Sequence, residues 1–315
     1  MKILTCHRPG GAFGYISDGW VNALLSKGHQ ARRWDGNKES WDIFDPDLYI
    51  GCSGHRQDIP QNRRAKVAIH VNPYGPVDLK SINESNDSIT WVLEQNPDAV
   101  FGYGDEEDRL LWSFWDEKHG ITWIPMPTAA DICIFNRDLD ENKKTHDIVY
   151  LGGRWDYKAI TMDSYLIHAL KTLGKSFVVH GWGDWPQDIC SGGIADDMAA
   201  DFLNSGKIGP CSAEKHTHLY GIDVPERMFK VAACGTLVIH DSVPAVKRYI
   251  PSIVVAQNPD NFVDLCRHYI ENDDERVQLI EKQKSEVLAA HTYHHRMHTM
   301  LSSLGFDDAA TSMLG

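Results

Sequence analysis

The chain has 315 residues, 42% hydrophobic and 24% charged, enough for two domains each with its own core. Its net charge of −13 argues against a surface coated for nucleic acid, though not against a local basic groove. There is no apolar run of membrane-spanning length, the start MKILTCHRPGG breaks at Pro and Gly too early for a secretory signal, and seven scattered cysteines without a CxxC pair read as reduced thiols, all pointing to a cytoplasmic protein without a metal or disulfide framework.

Short apolar runs alternate with amphipathic stretches, the pattern of parallel sheets with crossover helices. Lys2–Cys6 is a first strand, HRPGGAFGY a Gly-rich loop, and Ser17–Lys27 a helix closed by Gly28. ARRW, DLYIGC, KVAIHV and AVFGYG follow as strands, with a helix around Ile89–Gln95 between the last two. Asp105–Lys118 reads as one helix stopped by Gly120, and ITWIPMP as the strand leaving the first domain. Residues 128–146 are polar, acidic and aperiodic, which predicts an interdomain connection. At Asp147 the pattern restarts: strand DIVYLGG, helix Ile160–Leu173, strand SFVVHGWG, a short helix near Ala195–Leu203, helix Asp223–Cys234, strands TLVIHD and SIVVAQ, then helices from Pro259 with breaks near Asn272 and His291. The restart predicts an α/β protein of two Rossmann-like domains with parallel sheets, 1–140 and 147–290, facing across a cleft, with 291–315 a C-terminal helix packing back towards the first domain.

Two segments carry the chemistry. In IDVPERMFKVAACGTLVIHD, residues 222–241, Asp223 and Glu226 have capping-box spacing, Pro225 fits the first turn, and Arg227 and Lys230 lie one turn apart near a helix start, the makings of an anion site. In YLGGRWDYKAI, residues 150–160, a strand ends at Gly152-Gly153, where backbone can approach a ligand, and Arg154 and Lys158 follow as phosphate-binding cations. His180-Gly181-Trp182-Gly183 follows another strand, and Trp182 offers a face for a base. His70 is a candidate general base by type, and Asp105 a second.

Together GIDVPERMFKVAACGTLVIHD, the helix ENDDERVQLIEKQKSEVLAAHTYHHRMHTML and DIVYLGGRWDYK resemble the glycosyltransferases related to the spore maturation protein CgeB, within the group-1 GT-B enzymes. The resemblance covers about residues 147–301. It implies a GT-B fold, an N-terminal acceptor-binding domain, and a nucleotide-sugar donor (UDP- or GDP-sugar type) held by the C-terminal domain, with no other cofactor and no metal. Gly10, Gly11, Arg154, Lys158, Arg227 and Lys230 are then the diphosphate site, and Gly153, His180, Gly181, Trp182, Tyr220 and Glu226 contact nucleotide and sugar. The family has Glu where this chain has Lys230, which leaves the ribose contact open, with Glu226 one turn earlier as a substitute.

The resemblance implies sugar transfer to a hydroxyl, with retained anomeric configuration, on a glycan, a protein or hydroxymethylated DNA. The acidic net charge counts against the DNA reading, a bacteriophage type, and Arg32, Arg33, Arg56, Arg63, Arg64 and Lys66 count for it if they fall on one side of the cleft. A non-catalytic binding protein of the same fold is the other alternative; a dinucleotide oxidoreductase is excluded by the lack of GxGxxG after the first strand. The histidines of HTYHHRMH are read as helix packing rather than metal ligands, and His216 and His218 as one side of an extended strand without a third ligand. A monomer or a dimer, without a membrane span, fits this reading.

Overall fold

The computed structural model describes residues 1–6, 11–74, 84–174 and 176–315. The chain divides into two compact units, Met1–Thr128 with Tyr293–Gly315, and Ala129–Thr292.

The first unit runs β1 (Lys2–Thr5), α1 (Gly11–Ser26), β2 (Gln30–Arg33), α2 (Lys38–Phe44), β3 (Leu48–Cys52), β4 (Lys66–His70), α3 (Asn86–Glu94), β5 (Ala99–Gly102), α4 (Ser113–His119) and β6 (Thr122–Pro125). Its six parallel strands lie in the order β2-β1-β3-β4-β5-β6. LYIGC and KVAIH are apolar almost throughout because strands at the centre of such a sheet are covered on both faces. Seven of the ten tryptophans are buried, all in this unit, so most of them fill its core and do not line a ligand site. Gly102 belongs to that packing: a Cβ there would meet Trp112 Nε1 at 2.4 Å.

The second unit runs β7 (His146–Leu151), α5 (Asp156–Met162), a π-helical turn (Asp163–Ile167), α6 (His168–Leu173), β8 (Phe177–His180), α7 (Ala199–Asn204), β9 (Gly206–Cys211), α8 (Lys215–Tyr220), α9 (Glu226–Ala233), β10 (Leu237–His240), β11 (Val254–Val255), α10 (Pro259–Glu271) and α11 (Asp273–Ala290). Its parallel sheet has the order β11-β10-β9-β7-β8. The chain then returns to the first unit through α12 (Tyr293–Ser303) and α13 (Asp307–Leu314). Arg296 on α12 donates to the carbonyls of Pro127 and Thr128, and His294 bonds Ser26 on α1 at 2.7 Å. Residue 19 is glycine because Tyr293 lies where its Cβ would be, 2.1 Å away.

Several local expectations are corrected. Asp105–Lys118 is not one helix: a 3-10 turn over Glu106–Leu111 precedes α4, and the Asp105 carboxylate caps that turn. Asp223 does not form a capping box with Glu226; its φ is 53°, its carboxylate bonds His216, and α9 has no side-chain cap. His216 and His218 lie on a helix, not a strand. Residues 129–146 are part of the second unit's packing: Phe135 sits in its core, and Lys144 donates to the carbonyls of Asn204 and Gly235.

GKIGPC carries no strand signal, since Gly and Pro interrupt it, yet it forms β9 at the centre of the sheet. Its glycines are there for close packing: a Cβ on Gly206 would meet Val149 at 2.3 Å, and one on Gly209 would meet Val231 of α9 at 2.4 Å. Gly209→Ala is expected to destabilise the chain by about 1–3 kcal/mol through overpacking. Gly193→Ala, in open space, should leave the urea midpoint near wild type.

Candidate active site

The carboxyl ends of the second unit's strands bring the chemistry together. β7 ends at Leu151, and Gly152-Gly153 leads into α5, which carries Lys158 on its first turns. Arg227, one residue into α9, reaches back to this edge: its Nε donates to the Leu151 carbonyl at 2.6 Å, and its guanidinium lies 4.4 Å from the centre of the Tyr150 ring. A Cβ at position 152 would meet Arg227 Nη2 at 1.9 Å, so only glycine admits the guanidinium. Arg227 Nη1 is buried and has no hydrogen-bond partner among the described residues.

Lys158 is 6% exposed, and its ammonium makes no hydrogen bond or ion pair among the described residues. Burial, and then the positive charge of Arg227, push its pKa well below the ordinary lysine range, while Glu214, Cys211 and Asp241 act the other way. Glu214 begins the turn into α8; burial and the neighbouring Asp223 raise its pKa, against His216, Lys158 and Arg227. His216 bridges the two carboxylates, 3.1 Å from Asp223 and 3.7 Å from Glu214. Two cations thus share one desolvated edge with a carboxyl that only partly offsets them. Such a centre is complementary to an anion with several oxygens, such as a diphosphate.

Beside it, the loop after β8 is locked to the loop after β7. Gly152 donates to the His180 carbonyl and Arg154 to that of Trp182. Gly181 and Gly183 allow the approach, since a Cβ on either would lie 1.9–2.0 Å from a carbonyl oxygen of Gly152 or Arg154. Trp182 lies over Gly153 and is 59% exposed, a flat apolar face next to the cations. His180 is turned from this face: its Nδ1 lies 3.0 Å from the Gly192 carbonyl and its ring packs on Phe202.

The other expected residues lie elsewhere. The Arg154 guanidinium is engaged by Asp163, at 2.9 and 2.7 Å, and by the Asp184 carbonyl. Lys230 pairs with Glu226 at 2.7 Å and sits over Phe135, so Glu226 and Lys230 form an internal ion pair rather than adding to the Arg227 centre. Tyr220 ends α8. Gly11 opens α1 in the first unit, and Gly10 lies outside the described residues. His70, at the end of β4, is buried among Phe13, Phe101 and Tyr103, the last at 4.3 Å, with Cys52 Sγ 3.7 Å from its Nδ1.

The basic residues considered for DNA do not share one edge. Arg33 ends β2 and Arg56 follows the carboxyl end of β3, whereas Arg63, Arg64 and Lys66 stand at the amino end of β4. Arg33 pairs with Asp18, Arg56 with Ser88, Arg32 with the Ser40 carbonyl, Arg63 with the carbonyls of Gln95 and Asn96, and Lys66 with that of Leu304. All seven cysteines are free, and among the described residues no group of three or more His, Cys, Asp or Glu is arranged to hold a metal. Among them, too, no helix is long and apolar enough to cross a membrane.

Residues 158–302 match the family described as glycosyl transferase-like. Among solved structures, the chain is similar to sucrose-phosphate synthase from Thermosynechococcus elongatus, with a TM-score of 0.67, 12% identity, and 98% of this chain and 100% of that one covered. The T4 phage enzyme BGT, as a mutant in complex with UDP-glucose, superposes with a TM-score of 0.63, 13% identity and coverage of 98% and 99%. A glycosyltransferase from Rickettsia africae gives 0.60, 11%, and 99% and 98%. No curated protein sequence matches. The chain therefore has the GT-B glycosyltransferase fold.

Sequence patterns alone missed Glu214 and Asp241, and set His218 aside as one side of a strand. Glu214 and His218 follow a strand whose Gly and Pro hid it, and Asp241 reads as the polar end of TLVIHD. Because burial and Arg227 penalise the charged ammonium of Lys158, Lys158→Met is expected to raise thermal stability. The lysine's folded pKa is depressed, so its penalty is complete below that value and fades as pH climbs towards about 10. Melting temperatures across pH 5–10 should show the gain largest in acid and absent near pH 10.

Proposed function

We propose that this chain transfers a sugar from a nucleotide-sugar donor to a hydroxyl acceptor, with the donor diphosphate bound by Lys158 and Arg227. The observation that carries the reading is the pair itself: a buried ammonium and a guanidinium with an unsatisfied Nη1, converging from two segments on one strand end. As the glycosidic bond breaks, negative charge grows on the leaving diphosphate, and preorganised cations stabilise that charge more than they stabilise the ground state. Trp182 stacks on the nucleoside, and Gly152 and Gly153 let backbone approach the phosphates.

Two cations on the diphosphate supply the charge neutralisation a metal ion would otherwise give, which supports a metal-independent reaction. Retention is the stereochemical course we favour, by resemblance to CgeB-related enzymes. In a retaining reaction the departing phosphate can take the acceptor proton, so no base is demanded of the first unit, and the aromatic packing of His70 fits a structural role. The acceptor is a hydroxyl of a glycan or protein; dispersal of the basic residues removes the feature that favoured DNA.

The test is calorimetric binding of UDP, GDP and ADP and their sugars, together with donor turnover. Loss of one charged hydrogen-bonding partner corresponds to about 1.5–3 kcal/mol. Lys158→Ala and Arg227→Ala should each weaken diphosphate binding by about ten- to a hundredfold and abolish transfer, while Arg154→Ala and Lys230→Ala change it far less. Wild-type affinity for none of these diphosphates would refute the reading.

A further inference from the structure

Away from the cations, the same strand edge carries a second polar cluster. Asp241, at the end of β10, is 0% exposed, and its Oδ2 accepts from the Ala213 backbone N–H at 2.8 Å. The same oxygen lies 3.2 Å from Nε2 of His218 on α8. Opposed charge around it outweighs burial, so the Asp241 carboxyl stays ionised, held well below the usual carboxylate range by His240 and His218. An ionised carboxylate accepts only, so when the His218 ring is neutral it keeps the proton on Nε2 and leaves the lone pair on Nδ1. His218 is 23% exposed, and its Nδ1 has no hydrogen-bond partner among the described residues. Ser212 Oγ and His240 Nε2, both buried, also lack hydrogen-bond partners there.

Such a lone pair repels phosphate oxygens and suits a hydroxyl donor. Sheet order says which hydroxyl. Trp182 follows β8, the cations sit at the end of β7, and His218 and Asp241 follow β9 and β10 on the other side. A donor laid across this edge with its base on Trp182 and its diphosphate at Lys158 and Arg227 carries its sugar, not its ribose, over β9 and β10. Asp241 belongs to the same field, since its charge acts on Lys158.

We propose that His218 recognises a hydroxyl of the transferred sugar through Nδ1, with Asp241 as the positioning residue that fixes its tautomer. This rests on the donor reading above, and the two can fail separately. Calorimetry would compare UDP, GDP and ADP with their glucose, galactose, mannose and N-acetylglucosamine conjugates. His218→Ala should bind the free diphosphate within about twofold of wild type and the preferred conjugate at least about tenfold more weakly, a step of about 1.4 kcal/mol. His218→Gln, which restores a carbonyl acceptor, should recover part of that loss. Asp241→Asn, whose lost charge also alters the field at Lys158, should lower the ratio of conjugate to diphosphate affinity by at least about tenfold, and long-range nitrogen NMR of the His218 ring should shift from the Nε2–H tautomer to a mixture; should that variant unfold, the two His218 variants decide the matter. Equal weakening of diphosphate and conjugate, which would indicate a ribose contact, overturns the proposal. So does a wild-type protein that binds the diphosphate but distinguishes no sugar by more than about twofold. A wild type that binds no diphosphate removes the donor reading, and this proposal with it.

Discussion

Two positive charges held out of water on one strand edge are the constraint around which the second unit is built. Lys158 is buried with no hydrogen-bonded counterion among the described residues, and Arg227 stands close enough to lower its pKa further. Like charges in a desolvated setting oppose folding unless something fixes them. Arg227 is fixed by the Leu151 carbonyl and the Tyr150 ring, and it fits only because residue 152 lacks a side chain. Lys158 is fixed by α5, which begins a few residues after the same strand. The arrangement costs stability.

The neighbouring loops complete the surface by close backbone contact. Glycines at 152, 153, 181 and 183 let the segments after β7 and β8 run side by side and bring the Trp182 indole down onto Gly153. The three tryptophans of this unit, Trp155, Trp182 and Trp185, all lie on these loops, whereas those of the first unit are core. One residue type therefore serves two purposes, and only burial separates them.

Charge alone was a poor guide to which basic residues matter. Arg154 looks like a phosphate ligand in sequence, yet Asp163, on the π-helical turn, takes both arms of its fork. Lys230 finds Glu226 one turn back on its own helix. The arginines of the first unit cap carbonyls or pair locally in the same way. Among the described residues Lys158, and Arg227 at its Nη1, are left without such a local partner.

The sequence by itself determined the fold class. Strand and helix periodicity, with its restart at residue 147, specified two parallel α/β units because buried parallel strands must be apolar and crossover helices amphipathic. It also determined the two segments that hold the cations, through glycines at a strand end and basic residues just after it. It did not reveal β9, whose Gly and Pro are dictated by the close approach of Val149 and Val231 rather than by strand propensity. Nor did it separate Lys158 from Arg154, or place His218 against Asp241 across 23 residues of chain. Those outcomes depend on which partners lie within hydrogen-bonding distance after packing, and tertiary structure alone decides that.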